Sequence, residues 1–126
     1  MINQSEAQRI FISKARELAD RLSFLDWDDV LVVFHADADG TAAAAIACTA
    51  LRSMGISFCA KSIKQVDKTT LENIALSSKP VMFLDIGSGY LNEIRSMLDP
   101  SKVVILDHHE PEGDRNSILM LNPNEY

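Results

Sequence analysis

"VLVVFHADADGTAAAAIACTALRSM", residues 30–54, sets the fold class. Its first part, 30–35, is a continuous apolar, β-branched run closed by His35. A strand that does not alternate with polar residues is covered on both faces, as in a parallel sheet between helices. The run breaks at "ADADG", residues 36–40. The alanine-rich segment 41–54 has no internal Gly or Pro, so it reads as a helix from Thr41 stopped by Gly55.

The same pattern returns downstream. "VMFLDI", 81–86, is a second buried strand, which breaks at "GSG", 87–89, ahead of the helical "YLNEIRSML", 90–98. "KVVIL", 102–106, is a third and ends at Asp107. A weaker strand is expected around "SFCAKSI", a short helix near 69–77 and a last strand within "SILMLN". At the front, Ala7, Ile10, Phe11, Ala15, Leu18 and Leu22 repeat at helical spacing over residues 4–23, predicting an amphipathic helix with one buried face. Apolar strands alternating with helices give an α/β fold, a parallel β-sheet with helices on both faces, preceded by the N-terminal amphipathic helix.

The composition agrees with one packed unit: 126 residues, 47% hydrophobic, with a net charge of -6. That charge argues against a broad basic face for duplex DNA, although divalent ions held by aspartates can carry phosphate contacts instead. Cys48 and Cys59 fit no metal-ligand spacing and are expected as reduced, buried thiols. No apolar run reaches the roughly 18 residues of a membrane span. The first residues lack an apolar signal core, so the expected location is cytoplasmic.

In parallel sheets, ligands bind at the carboxyl ends of the strands. Here those ends read "VVFHADADG", "FLDIGSG" and "VILDHHEP". A parallel arrangement therefore puts His35, Asp37, Asp39, Asp85, Asp107, His108 and His109 on one edge. Four aspartates so placed repel one another unless cations compensate them. Mixed carboxylate and imidazole donors suit Mn²⁺ or Mg²⁺, with Zn²⁺ and Co²⁺ as competitors. With this many ligands, two ions about 3.5–4 Å apart can be held, the arrangement used in phosphate-ester hydrolysis. If the backbone stays extended through "HADAD", His35, Asp37 and Asp39 point the same way and converge. Gly40 then permits close approach, and amides at the following helix N-terminus and at "GSG" could cradle an anion.

Each motif alone has a plainer reading: a turn for Asp-x-Asp-Gly, a helix entry for "GSG", a helix cap for Asp85, surface for the histidine pair. Three strand ends bearing ligands on one sheet edge are what argue for a site. A calcium loop fails because its twelfth position, counted from His35, is Ile46. The glycine-rich nucleotide loops and the serine-hydrolase elbow are absent from the sequence.

"HADADG", "LDIGSG" and "LDHHEP" resemble the first three motifs of the DHH phosphoesterase superfamily, most closely its archaeal RecJ-like members, including the GINS-associated nuclease. The Asn122–Pro123 pair after the triplet is a further likeness. The resemblance covers nearly the whole chain. It implies a two-metal phosphodiesterase, usually Mn²⁺-preferring, that degrades single-stranded DNA or RNA from an end. Carried over by motif, His35 and Asp37 would hold one metal, Asp39 and His108 the other, and Asp85 would bridge them. Asp107 would orient its neighbours and His109 would contact the scissile phosphate. Single-stranded nucleic acid and the GINS complex are the implied partners, and DNA replication or repair the implied setting.

Members of the superfamily carry a further metal-binding aspartate downstream and a C-terminal domain that grips nucleic acid. Neither occurs in residues 1–126, so this chain is expected to be the N-terminal portion of a DHH domain, with a weakened second metal and little activity by itself. Two other readings stand beside this one. An oligonucleotide or cyclic-dinucleotide phosphodiesterase or a pyrophosphatase of the same superfamily is the first, though the two-residue step from His35 to Asp37 is shorter than the pyrophosphatases use. The second is a non-catalytic replication scaffold, against which the intact ligands of all three motifs count.

Overall fold

The structure, a computed structural model, describes residues 3–126. Helix α1 (Gln4–Ser23) leads into strand β1 (Asp29–His35) and helix α2 (Ala38–Ser53). Strand β2 (Ser57–Ile63), helix α3 (Lys68–Ala75) and strand β3 (Val81–Leu84) follow. Helix α4 (Leu91–Met97) and strands β4 (Val103–Leu106) and β5 (Leu119–Leu121) complete the fold. The five strands form one sheet in the order β2-β1-β3-β4-β5, and every neighbouring pair is parallel. This is the α/β architecture expected from the strand runs.

Alternate residues of β1 explain why the run is apolar throughout. Leu31 and Val33 pack with Phe83, Ile105 and the α3 and α4 residues Leu71, Ile74, Leu91 and Ile94. Val30 and Val32 face the other way, onto Met82, Leu84 and the α2 residues Ala44 and Leu51. Both faces are thus removed from water, and each large side chain so buried stabilises the fold by roughly 1.5–3 kcal/mol. Helix α1 lies against β5 at the sheet edge. Its predicted apolar positions are the least exposed of the helix, but Leu18 alone is fully buried.

Three expectations need correction. Helix α2 begins at Ala38, not Thr41, because the Asp37 carboxylate accepts the Gly40 N–H at 2.8 Å and caps the helix early. β3 stops at Leu84, because Asp85 turns into the left-handed region with φ 60°. The cysteines are not fully buried: Cys48 is half-buried on α2, and Cys59 is exposed because β2 is an edge strand largely open to solvent. No described helix is long and apolar enough to cross a membrane.

In the strand order seen here, the succession of strands reverses between β1 and β3, and the crevice at that switch point is where such sheets take ligands. The carboxyl ends of β1, β3 and β4 meet there.

Candidate metal centre

β1 delivers His35 and β3 delivers Asp85 to the switch point, while Asp107 and the histidine pair follow β4. Asp85 is placed by its backbone. Its N–H donates to the Leu106 carbonyl at 2.9 Å, extending the ladder one residue past β3. The left-handed turn then directs the side chain to the sheet edge; such a conformation costs a non-glycine residue on the order of 1–3 kcal/mol and clusters at functional sites. The next glycine, Gly87 at φ 119°, cannot be replaced freely, since a Cβ there would lie 3.3 Å from the Phe83 Cβ.

Two groups of donor atoms result. Asp85, Asp107, His108 and His109 each offer one ligand atom within 4.8 Å of the others, and so do His35, Asp37 and Asp85. Asp85 belongs to both. One of its oxygens lies 2.8 Å from Nε2 of His108 and the other 3.7 Å from Nδ1 of His35. Both aspartates at the centre, Asp85 and Asp107, are 7% exposed, whereas His108 and His109 reach into solvent.

The residues fit a divalent cation. Nδ1 of His35 is buried and hydrogen-bonded to nothing, although Oδ2 of Asp37 is only 2.9 Å away. The two atoms are close enough to serve one cation together as ligands. Asp37 keeps Oδ2 for that role because Oδ1 is taken by Gly40. The Gly40 N–H, outweighing slight burial and helped by His35, holds the Asp37 carboxyl below its ordinary pKa, so it stays an anion. Imidazole nitrogen and carboxylate oxygen are the donor set of Mn²⁺, Mg²⁺ or Zn²⁺.

Asp39 is not in either group. The extended form does not persist past Asp37, and Asp39 sits exposed in the first turn of α2. It nevertheless lines a cavity of about 370 Å³ shared with Asp85, Asp107 and His108, on the side toward α1. A second cavity, about 320 Å³, opens on the other side between His35, Asp85, Asp107 and His109.

Asp107 organises the triplet. Oδ1 accepts from the His108 N–H at 2.8 Å and approaches Nδ1 of His109 at 2.6 Å, while Oδ2 accepts from the Ser88 N–H at 3.1 Å. Burial pushes its pKa up, but the His109 ring and these amides outweigh it and hold the carboxyl below its usual range. In return the hydrogen bond to Asp107 raises the His109 pKa, against some burial and with help from the Asp85 and Asp37 charges. The Ser88 amide is thereby spent on Asp107, so "GSG" is less free to cradle an anion than expected.

Lys64 and Asn122 were given no chemical role from sequence. Lys64 is the first residue after β2 and lines the second cavity; its position at a fourth strand end was the available signal. Asn122 is fully buried and hydrogen-bonded to Ser88 and His109, contacts that no local pattern reveals.

Residues 29–126 match the model of the DHH family, N-terminal domain. Helix α1 precedes the matched segment. A manganese complex of RecJ from Thermus thermophilus superposes with a TM-score of 0.67 at 22% identity, covering 91% of this chain and 17% of that one. An exonuclease RecJ bound to manganese superposes with a TM-score of 0.69 at 21% identity, covering 90% of this chain and 31% of that one. This chain thus spans less than a third of either neighbour, and the likeness is one of fold. No curated protein sequence matches it. With its fold, its three motifs and the family match in agreement, the chain belongs to the DHH family.

Proposed function

We propose that the protein is a metal-dependent phosphodiesterase of the RecJ-like type, removing nucleotides from an end of single-stranded DNA or RNA with two divalent ions, Mn²⁺ or Mg²⁺. The observation that carries this reading is the position of Asp85 in both donor groups, between His35 and His108. A carboxylate so placed could hold two ions at once: His35 and Asp37 would hold one with it and His108 the other. Asp39, outside both groups on the first turn of α2, is assigned to the second ion by the motif resemblance alone. The RecJ neighbours, both described with manganese, support the choice of ion.

When bound, the ions supply positive charge for the phosphoryl oxygens and a water nucleophile at neutral pH. The chain itself does the positioning. Asp107 holds His109 through Nδ1, which leaves the other ring nitrogen to meet a phosphate in the second cavity. Asp107 stays ionised there because its donors outweigh its burial. The single-stranded substrate and GINS as a partner rest on the motif resemblance.

A digestion assay with the full-length gene product tests this. Single-stranded DNA and RNA carrying a label at either end should shorten from one end with Mn²⁺ and survive in chelator. Intact substrate together with no Mn²⁺ binding by calorimetry would sink the proposal.

A further inference from the structure

Four polar side chains are buried among the described residues: Asp85, Ser88, Asp107 and Asn122. Three belong to the motifs already discussed. Asn122 follows β5 and is 0% exposed. Burying an amide is costly unless its hydrogen bonds are made, so its partners show what it is for. Its Nδ2 donates to the Ser88 hydroxyl at 2.9 Å and to the His109 carbonyl at 2.7 Å. Its Oδ1 accepts the Asn124 N–H at 2.9 Å. That last bond is an ordinary turn cap, but it also settles which way round the amide lies. The exposed Asn124 repeats the device: its Nδ2 donates to the His108 carbonyl at 2.8 Å.

Two consecutive carbonyls, those of His108 and His109, are therefore each held by an asparagine from the turn after β5. The segment they anchor has no strand or helix hydrogen bonds of its own. Its side chains are fixed on one side by Asp85 and Asp107. The asparagines fix its main chain on the other.

We propose that Asn124 and Asn122 are positioning residues for the metal centre, clamping the backbone of His108 and His109 so that both imidazoles point to Asp85 and Asp107. This rests on the reading of His108 as a metal ligand. Partners that orient a metal ligand typically change affinity 10–100-fold when removed.

The test uses Asn124→Ala and the isosteric Asn124→Asp, whose carboxylate cannot donate to a carbonyl. Asn124 is exposed, so neither change threatens the core. Mn²⁺ affinity measured by electron paramagnetic resonance should fall about 10-fold in both. In a His108→Ala background, Asn124→Ala should have no further effect on Mn²⁺ affinity, because the tether acts through that ring. In metal-free protein, the imidazole resonances of His108 and His109 should shift in both variants while those of core methyls stay in place. Asn122→Ala should move the His109 resonance more than the His108 resonance. Wild-type Mn²⁺ affinity in a folded Asn124→Ala protein overturns the inference, as do unmoved imidazole resonances. Failure of the wild type to bind Mn²⁺ sinks the metal-centre reading, and the resonance shifts then decide the clamp by themselves.

Discussion

Nε2 of His108 lies 2.8 Å from Oδ1 of Asp85, across 23 residues of chain. The contact exists because β3 and β4 are adjacent and in register, Leu84 opposite Leu106, which brings the first residue after β3 beside the second residue after β4. It also explains why Asp85 is kept in a strained left-handed conformation with other carboxylates nearby. Such local strain is common at functional sites, in keeping with the proposed role of Asp85 as a metal ligand.

Asp85→Asn should separate the two roles. Asparagine tolerates the left-handed conformation and keeps an oxygen for His108, but it removes one of the clustered charges. Thermal melts in chelator are expected to show a gain on the order of 1 kcal/mol. Mn²⁺ affinity should fall by more than about 100-fold, beyond the range for partners that only orient a ligand. A variant less stable than the wild type in chelator would contradict repulsion among the clustered carboxylates.

The Asp107–His109 pair sets a pH window. The depressed Asp107 pKa contributes stability above its unfolded value, near 3.9, and loses it as pH falls through the lower folded value. The raised His109 pKa contributes stability that is complete below its unfolded value, near 6.5, and fades as pH rises through the higher folded one. Both contributions coexist between roughly pH 4 and 6.5. Asp107→Asn should therefore destabilise the chelated protein most in that window, by about 1.5–3 kcal/mol, as expected for a hydrogen bond to a charged group. Nuclear magnetic resonance titration should show His109 returning toward 6.5, and urea melts at pH 5.5 and 8.5 should differ in the sense given.

Gly40 holds the start of α2 against the end of β1. A Cβ at this position would lie 1.9 Å from the His35 carbonyl oxygen, a backbone atom that cannot turn aside. Gly40→Ala should thus cost about 1–3 kcal/mol, as for other overpacked sites, and weaken Mn²⁺ binding by shifting Asp37 away from His35. Gly89→Ala is the control: nothing lies within 4 Å of its added Cβ, and stability should stay within about 0.5 kcal/mol of wild type. Equal melting temperatures for Gly40→Ala and wild type would show that α2 enters differently.

The strands were legible because burial on two faces leaves only apolar residues between turns, as in "VLVVF" and "VMFL". Their parallel pairing follows from the helices between them, and with it the meeting of His35, Asp85 and Asp107 at one edge. Chain order alone determined that much. It did not determine how far β1 stays extended. Capping by Asp37 competes with the extended form, wins, and carries Asp39 out of the donor groups and onto the first turn of α2. Nor did it reveal Cys59, which reads as a core residue until β2 is seen to be a sheet edge. Asn122 is the plainest case. Its amide reaches Ser88, 34 residues earlier, and the turn at His109, 13 residues earlier. Residue type and spacing decide which side chains can serve as ligands. Which of them share a centre, and what holds them there, is decided by hydrogen bonds between segments that only the folded sheet brings together.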